Sequence, residues 1–333
     1  MQNVRVKFKM KGKNIMNNCI KQISKGKVRD IFELNALILQ TSDRVSAFNS
    51  VFGGTVPKKG IVLQTISNKW MELLSDLIRN HIITCDPSAI SALGFEPGRT
   101  VIAEKHVMLP VECIVRGYYI PTSSSWNSYK KDYTIQGITL PPGLRESEKL
   151  PKPIFTPTTK DSDDRPLTFA EMEEHIDDFL WNSSLQKDMD HFSVATCANL
   201  SRNIAVKIEE KSIELYKKAY EFADNKGVIL ADTKLEFGIE LHPEKSDTAD
   251  GFELILCDEA FTPDSSRYWD KNLYEVGKTM PSMDKQYFRD YLREELHWTG
   301  LKDGPVPEVP AEVYEELSKI YTGILYKLFG IEI

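Results

Sequence analysis

The segment VILADTKLEFGIEL at 228–241, followed by a polar turn and then FELILC at 252–257, limits the fold more than any other part of the chain. Both runs are apolar and β-prone, and the turn at 246–251 is polar, so they predict two paired strands. Asp232, Lys234 and Glu236 interrupt the first run at intervals of two. An extended strand puts residues at that spacing on one face. Carboxylates and an ammonium on such a face are costly to bury without counter-charges or a ligand. Hard oxygens suit a divalent cation and a lysine suits phosphate. A solvent-facing strand of alternating charge satisfies the same pattern. The second run leads into DEAFTPDSSRYWD, which adds Asp258, Asp264, Ser265, Ser266 and Arg267. Hydroxyls beside an arginine give directional donors for a phosphate or carboxylate.

Other elements follow from periodicity. KVRDIFEL and ALILQTS, broken at Asn35 and preceded by Gly26, predict a hairpin. Ile66, Trp70, Leu73, Leu74 and Leu77 fall at helical spacing. The strand-like run TVIAEKHVMLPVECIVRGYY is interrupted at Pro110, which predicts a crossing point between two parts of the fold. Residues 121–166 are rich in Pro, Ser, Asp and Lys and read mainly as loops. Thr168 and Glu171 form a capping-box pattern opening FAEMEEHIDDFLW. A long helix with Leu200, Ile204 and Ile208 as its spine precedes Gly227, and two C-terminal helices end at Gly330. Short strands first, then helices bracketing a later sheet, predict an α+β fold.

The net charge of −7 argues against a general nucleic-acid binder, yet leaves room for local basic pockets that take anionic small molecules. The five cysteines are scattered without a CxxC pair, as expected of free thiols in a reducing compartment. Without a membrane-spanning run or an apolar segment after the basic N-terminus, the cytoplasm is the expected location, with no membrane partner. Three apparent motifs fail. Gly277-Lys278-Thr279 lacks the leading glycine of a P-loop, since position 272 is Asn. Asn182-Ser183-Ser184 is a glycosylation sequon that matters only on secretion. The six histidines show no HExxH spacing and read as structural or surface groups. Neither GxSxG nor GxGxxG occurs.

GKVRD at 26–30 sets Gly26 beside Lys27 and Arg29, with both side chains on one face of the strand. The glycine lets backbone approach a phosphate and the two cations neutralise it; an exposed basic strand start is the alternative. Glu112 and Arg116 lie inside an apolar run, where they either pair with each other or meet a ligand. The loop FTPTTKD ends in Lys160, suited to phosphate or to an ordinary surface turn.

Taken together, GKVRDIFE, TSDRVSAFN, PVECIVRGY, FTPTTKD, LADTKLEFG, DEAFTPDSSRYW and DKQYFRDYL resemble, in order and approximate spacing, the SAICAR synthetase family of purine biosynthesis. The resemblance runs from about Gly26 to Leu292 and looks closer to the family's longer members. It implies an ATP-dependent ligase that joins L-aspartate to the carboxylate of carboxyaminoimidazole ribonucleotide (CAIR), giving SAICAR, ADP and phosphate. It implies ATP and Mg²⁺ as cofactors, small-molecule partners only, and a monomer or small homo-oligomer. It also implies an N-terminal antiparallel-sheet ATP lobe at 23–108, after an extension at 1–22, and a larger α+β substrate lobe at 109–333. Carried over by residue, Gly26, Lys27 and Arg29 meet the ATP phosphates. Ala103, Lys105 and Met108 line the adenine pocket at a hinge. Glu236 and Asp258 hold Mg²⁺ and the nucleotide. Asp232, Lys234 and Lys160 surround the transferring phosphoryl group as catalytic residues. Asn49, Arg116, Ser124, Asp264, Arg267 and Arg289 bind CAIR and aspartate. Two positions depart from the family pattern: Asn49 stands where the family has Asp, and Ser123 where it has Gly. A kinase-like phosphotransferase is the rival enzyme, although neither HRDxxxxN nor DFG occurs. A nucleotide-binding regulatory module is the rival without catalysis, and it has no need of the second Arg/Ser cluster.

Overall fold

The computed structural model describes residues 9–10, 13–14, 20–121, 126–161, 164–189, 192, 194–242 and 251–333. In chain order, β1 (Lys9–Met10) and β2 (Lys13–Asn14) precede β3 (Lys21–Lys25), β4 (Arg29–Glu33), β5 (Leu37–Thr41), β6 (Arg44–Ala47) and β7 (Ser50–Thr55). Next come α1 (Lys59–Leu73), β8 (Ile82–Thr84), α2 (Pro87–Ala92), β9 (Thr100–Ala103), β10 (Val107–Met108) and β11 (Val111–Tyr118). After α3 (Tyr129–Asp132), β12 (Thr134–Ile135) and β13 (Ile138–Thr139) lie β14 (Lys149–Phe155) and β15 (Thr158–Thr159). The helices α4 (Phe169–Asn182), α5 (Gln186–Met189) and α6 (Val194–Asn225) lead to β16 (Val228–Leu241), β17 (Phe252–Cys257) and β18 (Ser266–Asp270). The chain closes with α7 (Gln286–Glu294) and α8 (Ala311–Phe329). Antiparallel sheets with separate helices make this α+β, as the sequence predicts. Among the described residues no helix is long and apolar enough to cross a membrane.

Contacts divide the chain into two compact units. The first comprises Met1–Lys69, His81–Lys105 and Asp284–Ile333; the second comprises Trp70–Asn80 and His106–Met283. These bounds differ from the lobes at 23–108 and 109–333. The short strand β10 pairs with β16 (Val107↔Ile239), so the division falls at Lys105–His106 rather than at Pro110. The C-terminal helices cluster with the N-terminal sheet. Phe52 meets Phe288 edge-on at 5.0 Å, and Ser318 Oγ donates to Pro57 O at 2.6 Å. Nothing local in the α7 and α8 sequences announces those distant partners.

In the first unit a five-stranded antiparallel sheet has the order β3-β4-β5-β9-β8. Its β4–β5 hairpin turns at Asn35, as predicted. The helix α1 passes from the first unit to the second at Lys69–Trp70; Ile66 and Trp70 are buried on it at i, i+4, Leu74 just past its end is buried, and Leu73 is exposed. It lies about 100° round the helix from Leu74.

In the second unit a seven-stranded sheet is organised by β16, which pairs with β10, β11, β17 and β18. The expected β16–β17 hairpin is present, with Glu236↔Cys257 and Leu241↔Phe252 in register; its turn at 246–250 lies outside the described residues. Residues 149–155, read as loop, form edge strand β14 instead. Pro151 and Pro153 hide the strand pattern, since proline cannot donate to a ladder, but an edge strand tolerates them. Leu150 and Ile154 are buried. The helix α4 opens with the predicted capping box: Glu171 N donates to Thr168 Oγ1 and Thr168 N donates to Glu171 Oε2. The long helix α6 buries Leu200, Ile204 and Ile208 and packs against β16 and β11.

Gly117 on β11 is fixed by this packing. A Cβ there would stand 2.0 Å from Tyr216 Oη. That hydroxyl donates to Leu230 O at 2.7 Å in the buried interior. Gly117→Ala is expected to cost about 2–4 kcal/mol, from overpacking and from loss of the buried hydrogen bond. Urea denaturation reads this cost, and Tyr216→Phe in the same chain should recover part of it. An unchanged midpoint in Gly117→Ala would contradict the close approach.

Candidate functional site

One face of the second unit's sheet carries the charge that the sequence concentrates on β16. Register pairs Ile114 with Lys234 and Arg116 with Asp232. Cross-strand partners share a face, so Glu112, Ile114 and Arg116 line up beside Asp232, Lys234 and Glu236. The opposite face meets α6, where Gly117 approaches Tyr216. Asp232 and Glu236 are buried, which rules out a solvent-facing strand of alternating charge.

The charges fall into two clusters. In the first, Asp232 accepts from Arg267 Nη1 and faces Arg116 Nη1 at 3.5 Å. Two guanidiniums thus share one carboxylate oxygen. Burial pulls the Arg116 guanidinium down to about 10 against the opposing pull of Asp232, so it stays charged at neutral pH. Thr156 Oγ1 accepts from Arg116 Nε at 2.9 Å. In the second cluster, Lys234 Nζ donates to Glu112 Oε1 at 2.7 Å and to Glu236 Oε1 at 3.0 Å, while Lys160 Nζ donates to Glu236 Oε2. Burial works against the Lys234 ammonium, but Glu236 and Glu112 outweigh it and hold it well above the usual lysine range.

Glu112 and Arg116 do not pair with each other; each takes its partner from β16. Asp232 stands with the arginines, apart from Lys234 and Lys160, which share Glu236. Asp258 lies one residue past Cys257, the cross-strand partner of Glu236, and turns the chain with φ 59°. The following loop is stitched to β16 by Lys234 N donating to Ser265 O at 2.9 Å. Within it, Asp264 N donates to Thr262 Oγ1 at 3.3 Å. Met108 also belongs to this unit, on β10. Ser124 and Ser123 lie outside the described residues.

The remaining candidates belong to the first unit. Gly26 N donates to Arg29 O at 2.8 Å, closing the β3–β4 turn. Lys27 is exposed in that turn and Arg29 is buried at the start of β4, so the two do not share a strand face as expected. Ala103 ends β9, and Lys105 Nζ donates to Glu33 Oε1 at 2.7 Å. Arg289 sits half-buried on α7. Asn49 occupies the β6–β7 turn with φ 60°, next to Phe48 at φ 49°. Two successive positive φ values are what a tight two-residue hairpin demands, and Asn tolerates them well. Lys27 Nζ donates to Asn49 Oδ1 at 2.8 Å.

The sequence assigns no role to Thr156, and leaves Glu112 only as a charge that pairs with Arg116 or meets a ligand. The signal for Glu112 was its even spacing from Arg116; Thr156 had none, because its role depends on β14 lying beside β11. Elsewhere Glu240, His242 and Glu253 gather at the far end of the β16–β17 hairpin. Arg79 Nη1 reaches Glu240 and Glu253 at 2.9 and 3.0 Å, so an arginine already balances that facing pair. Cys85, Cys113, Cys197 and Cys257 are free thiols.

The SAICAR synthetase family model matches residues 22–303. The chain is 42% identical to the phosphoribosylaminoimidazole-succinocarboxamide synthase of Geobacter sulfurreducens, over 93% of this chain and 95% of that protein. It is 40% identical to the enzyme of the same name from Pelobacter propionicus, over 94% and 96%. Among solved structures, a SAICAR synthase from Saccharomyces cerevisiae complexed with SAICAR superposes with a TM-score of 0.74 at 31% identity, covering 94% of this chain and 96% of that one. The chain belongs to the SAICAR synthetase family.

Proposed function

We propose that the chain joins L-aspartate to the carboxylate of CAIR, consuming ATP with Mg²⁺ and releasing SAICAR, ADP and phosphate. The observation that carries this reading is the adjacency on β16 of two clusters with different chemistry. Arg116 and Arg267 share Asp232; two residues on, lysines and carboxylates alternate around Glu236. The first suits a fixed anion, the second a phosphoryl group in transfer.

A carboxylate is a poor acylating agent. In the proposed sequence a CAIR carboxylate oxygen attacks the γ-phosphorus of ATP, the bond to the bridging oxygen breaks, and ADP leaves. The aspartate amine then attacks the acyl carbon, the carbon–oxygen bond to phosphate breaks, and the amine loses a proton. Lys234 and Lys160 offset charge on the transferring phosphoryl group. Arg116, Arg267, Asp264 and Arg289 bind and orient the anionic substrates, with Asp232 aligning the two arginines of its cluster. Lys27 and Arg29 contact the ATP phosphates, and Ala103, Lys105 and Met108 the adenine. Glu236 and Asp258 would hold Mg²⁺. The donor set fits, since it offers carboxylate oxygens and neither imidazole nor thiolate from those two positions. When bound, the ion supplies charge neutralisation at the phosphates. The free thiols suit the reducing cytoplasm as the proposed compartment.

A kinase-like phosphotransferase would release ADP with CAIR and ATP alone, and a nucleotide-binding module would release none. ADP release measured with CAIR and ATP, with and without L-aspartate, separates the three. Sustained turnover only with aspartate is the expected result; turnover independent of aspartate would overturn the reading.

Asn49→Asp tests the departure from the family pattern. The new carboxylate would be neutralised by Lys27, which already donates to this side chain at 2.8 Å. The expected outcome is therefore a KM for L-aspartate within twofold of wild type. KM for ATP should rise about two- to fivefold, because an exposed ion pair worth up to about 1 kcal/mol competes with phosphate for Lys27. A lower KM for aspartate would instead assign the position to the amine.

A further inference from the structure

We propose that Thr156 is a positioning residue for the nucleotide substrate: by accepting from Arg116 Nε it sets the plane in which the Arg116 fork meets the substrate's anionic group. The inference rests on the reading that Arg116 binds that group. Arg116 is 5% exposed and Thr156 is fully buried. An arginine can only donate, so Thr156 Oγ1 is the acceptor of the 2.9 Å contact with Nε. The hydroxyl's own proton points toward Ile114 O at 3.5 Å, and Thr156 N donates to the same carbonyl at 2.8 Å. The side chain is thereby anchored at the end of β14, against the strand that carries Arg116.

Two contacts help orient the guanidinium plane. One is Nε on Thr156; the other is Nη1 facing Asp232 Oδ2 at 3.5 Å. Asp232 alone is a weak guide, because Arg267 holds the same oxygen. Without the Thr156 hydroxyl, Arg116 can turn about its side chain to give Nε to Asp232. The charge remains and the paired donors swing away. A planar fork loses its bidentate fit on such a rotation even though its charge is unchanged.

Thr156→Val keeps the branched shape and removes the acceptor. The expected result is a rise of about tenfold in KM for CAIR, with KM for ATP and for L-aspartate within twofold and kcat reduced by less than threefold. Thr156→Ser keeps the hydroxyl and should restore wild-type KM. A purely structural role would lower the denaturation midpoint in Thr156→Val without singling out one substrate. If Thr156→Val fails to fold, Thr156→Cys, a similar volume with a weak acceptor, is read in the same way. Arg116→Lys is assayed alongside. If Arg116→Lys raises KM for CAIR and Thr156→Val does not, the Thr156 inference is overturned while the reading of Arg116 stands. If Arg116→Lys leaves KM for CAIR unchanged, that reading falls and takes the inference with it.

Discussion

Glu236→Gln and Asp258→Asn are each expected to lower Mg²⁺-dependent turnover at least about a hundredfold, equivalent to about 2.7 kcal/mol of transition-state stabilisation. A hard divalent cation needs anionic oxygens, and an amide keeps the shape of the side chain while giving up its charge. The two variants differ in what else they disturb. Glu236 also accepts from Lys160 and Lys234, so its amide sets two ammonium groups against one weaker acceptor. The protein's stability without ligands must therefore be measured for Glu236→Gln, and a loss there is discounted. The second readout is the rise in denaturation midpoint on adding Mg²⁺ with ADP, which should shrink in both variants while the rise with ADP alone persists. Turnover near wild type at saturating Mg²⁺ in either variant would remove that residue from the metal site.

Those two residues show what a sequence of this kind displays and what it hides. Periodicity of two placed Asp232, Lys234 and Glu236 on one face, and the face is as expected. Thr168 with Glu171, and Leu200 with Ile204 and Ile208, mark helices by contacts within three or four residues, which sequence spacing carries directly. Partner choice is different, because it depends on register between strands more than a hundred residues apart. Arg116 meets Asp232 and Glu112 meets Lys234 only because β11 and β16 pair as they do. A shift of one residue would turn each side chain to the other face. Proline hid β14, since Pro151 and Pro153 break the pattern of a central strand but not of an edge. The Asn49 substitution looked like a change in ligand chemistry, yet its backbone angle alone gives that position a reason to prefer Asn or Asp. The packing of α7 and α8 in the first unit was equally hidden. It rests on complementarity at distant points, such as Gly54, where a Cβ would stand 2.2 Å from the Tyr314 ring.

Lys234→Met is expected to destabilise the protein by about 2–4 kcal/mol at pH 8, and by roughly half as much at pH 5. Removing one partner of a buried ion pair costs about 3–5 kcal/mol, and the low end applies here because the Lys234 side chain is 31% exposed. The pH dependence comes from Glu112. Burial already raises its carboxyl above the ordinary value; Lys234 pulls it back down, while Glu236 and Asp164 push it further up. With Lys234 gone, the folded-state value rises further. A carboxyl raised in the folded state takes up a proton that the unfolded chain does not. Its favourable contribution is complete below the unfolded value of about 4.3 and is lost as pH climbs through the folded value. The variant therefore gains stability on acidification, and the gap from wild type narrows toward pH 5. Urea denaturation at pH 5, 6.5 and 8 measures the gap directly. Glu112→Leu combined with Lys234→Met removes the stranded carboxylate and should recover stability at pH 8, since replacing both members of a buried pair costs less than breaking it. A gap that stays constant across this pH range would show that Glu112 does not depend on Lys234 for its counter-charge.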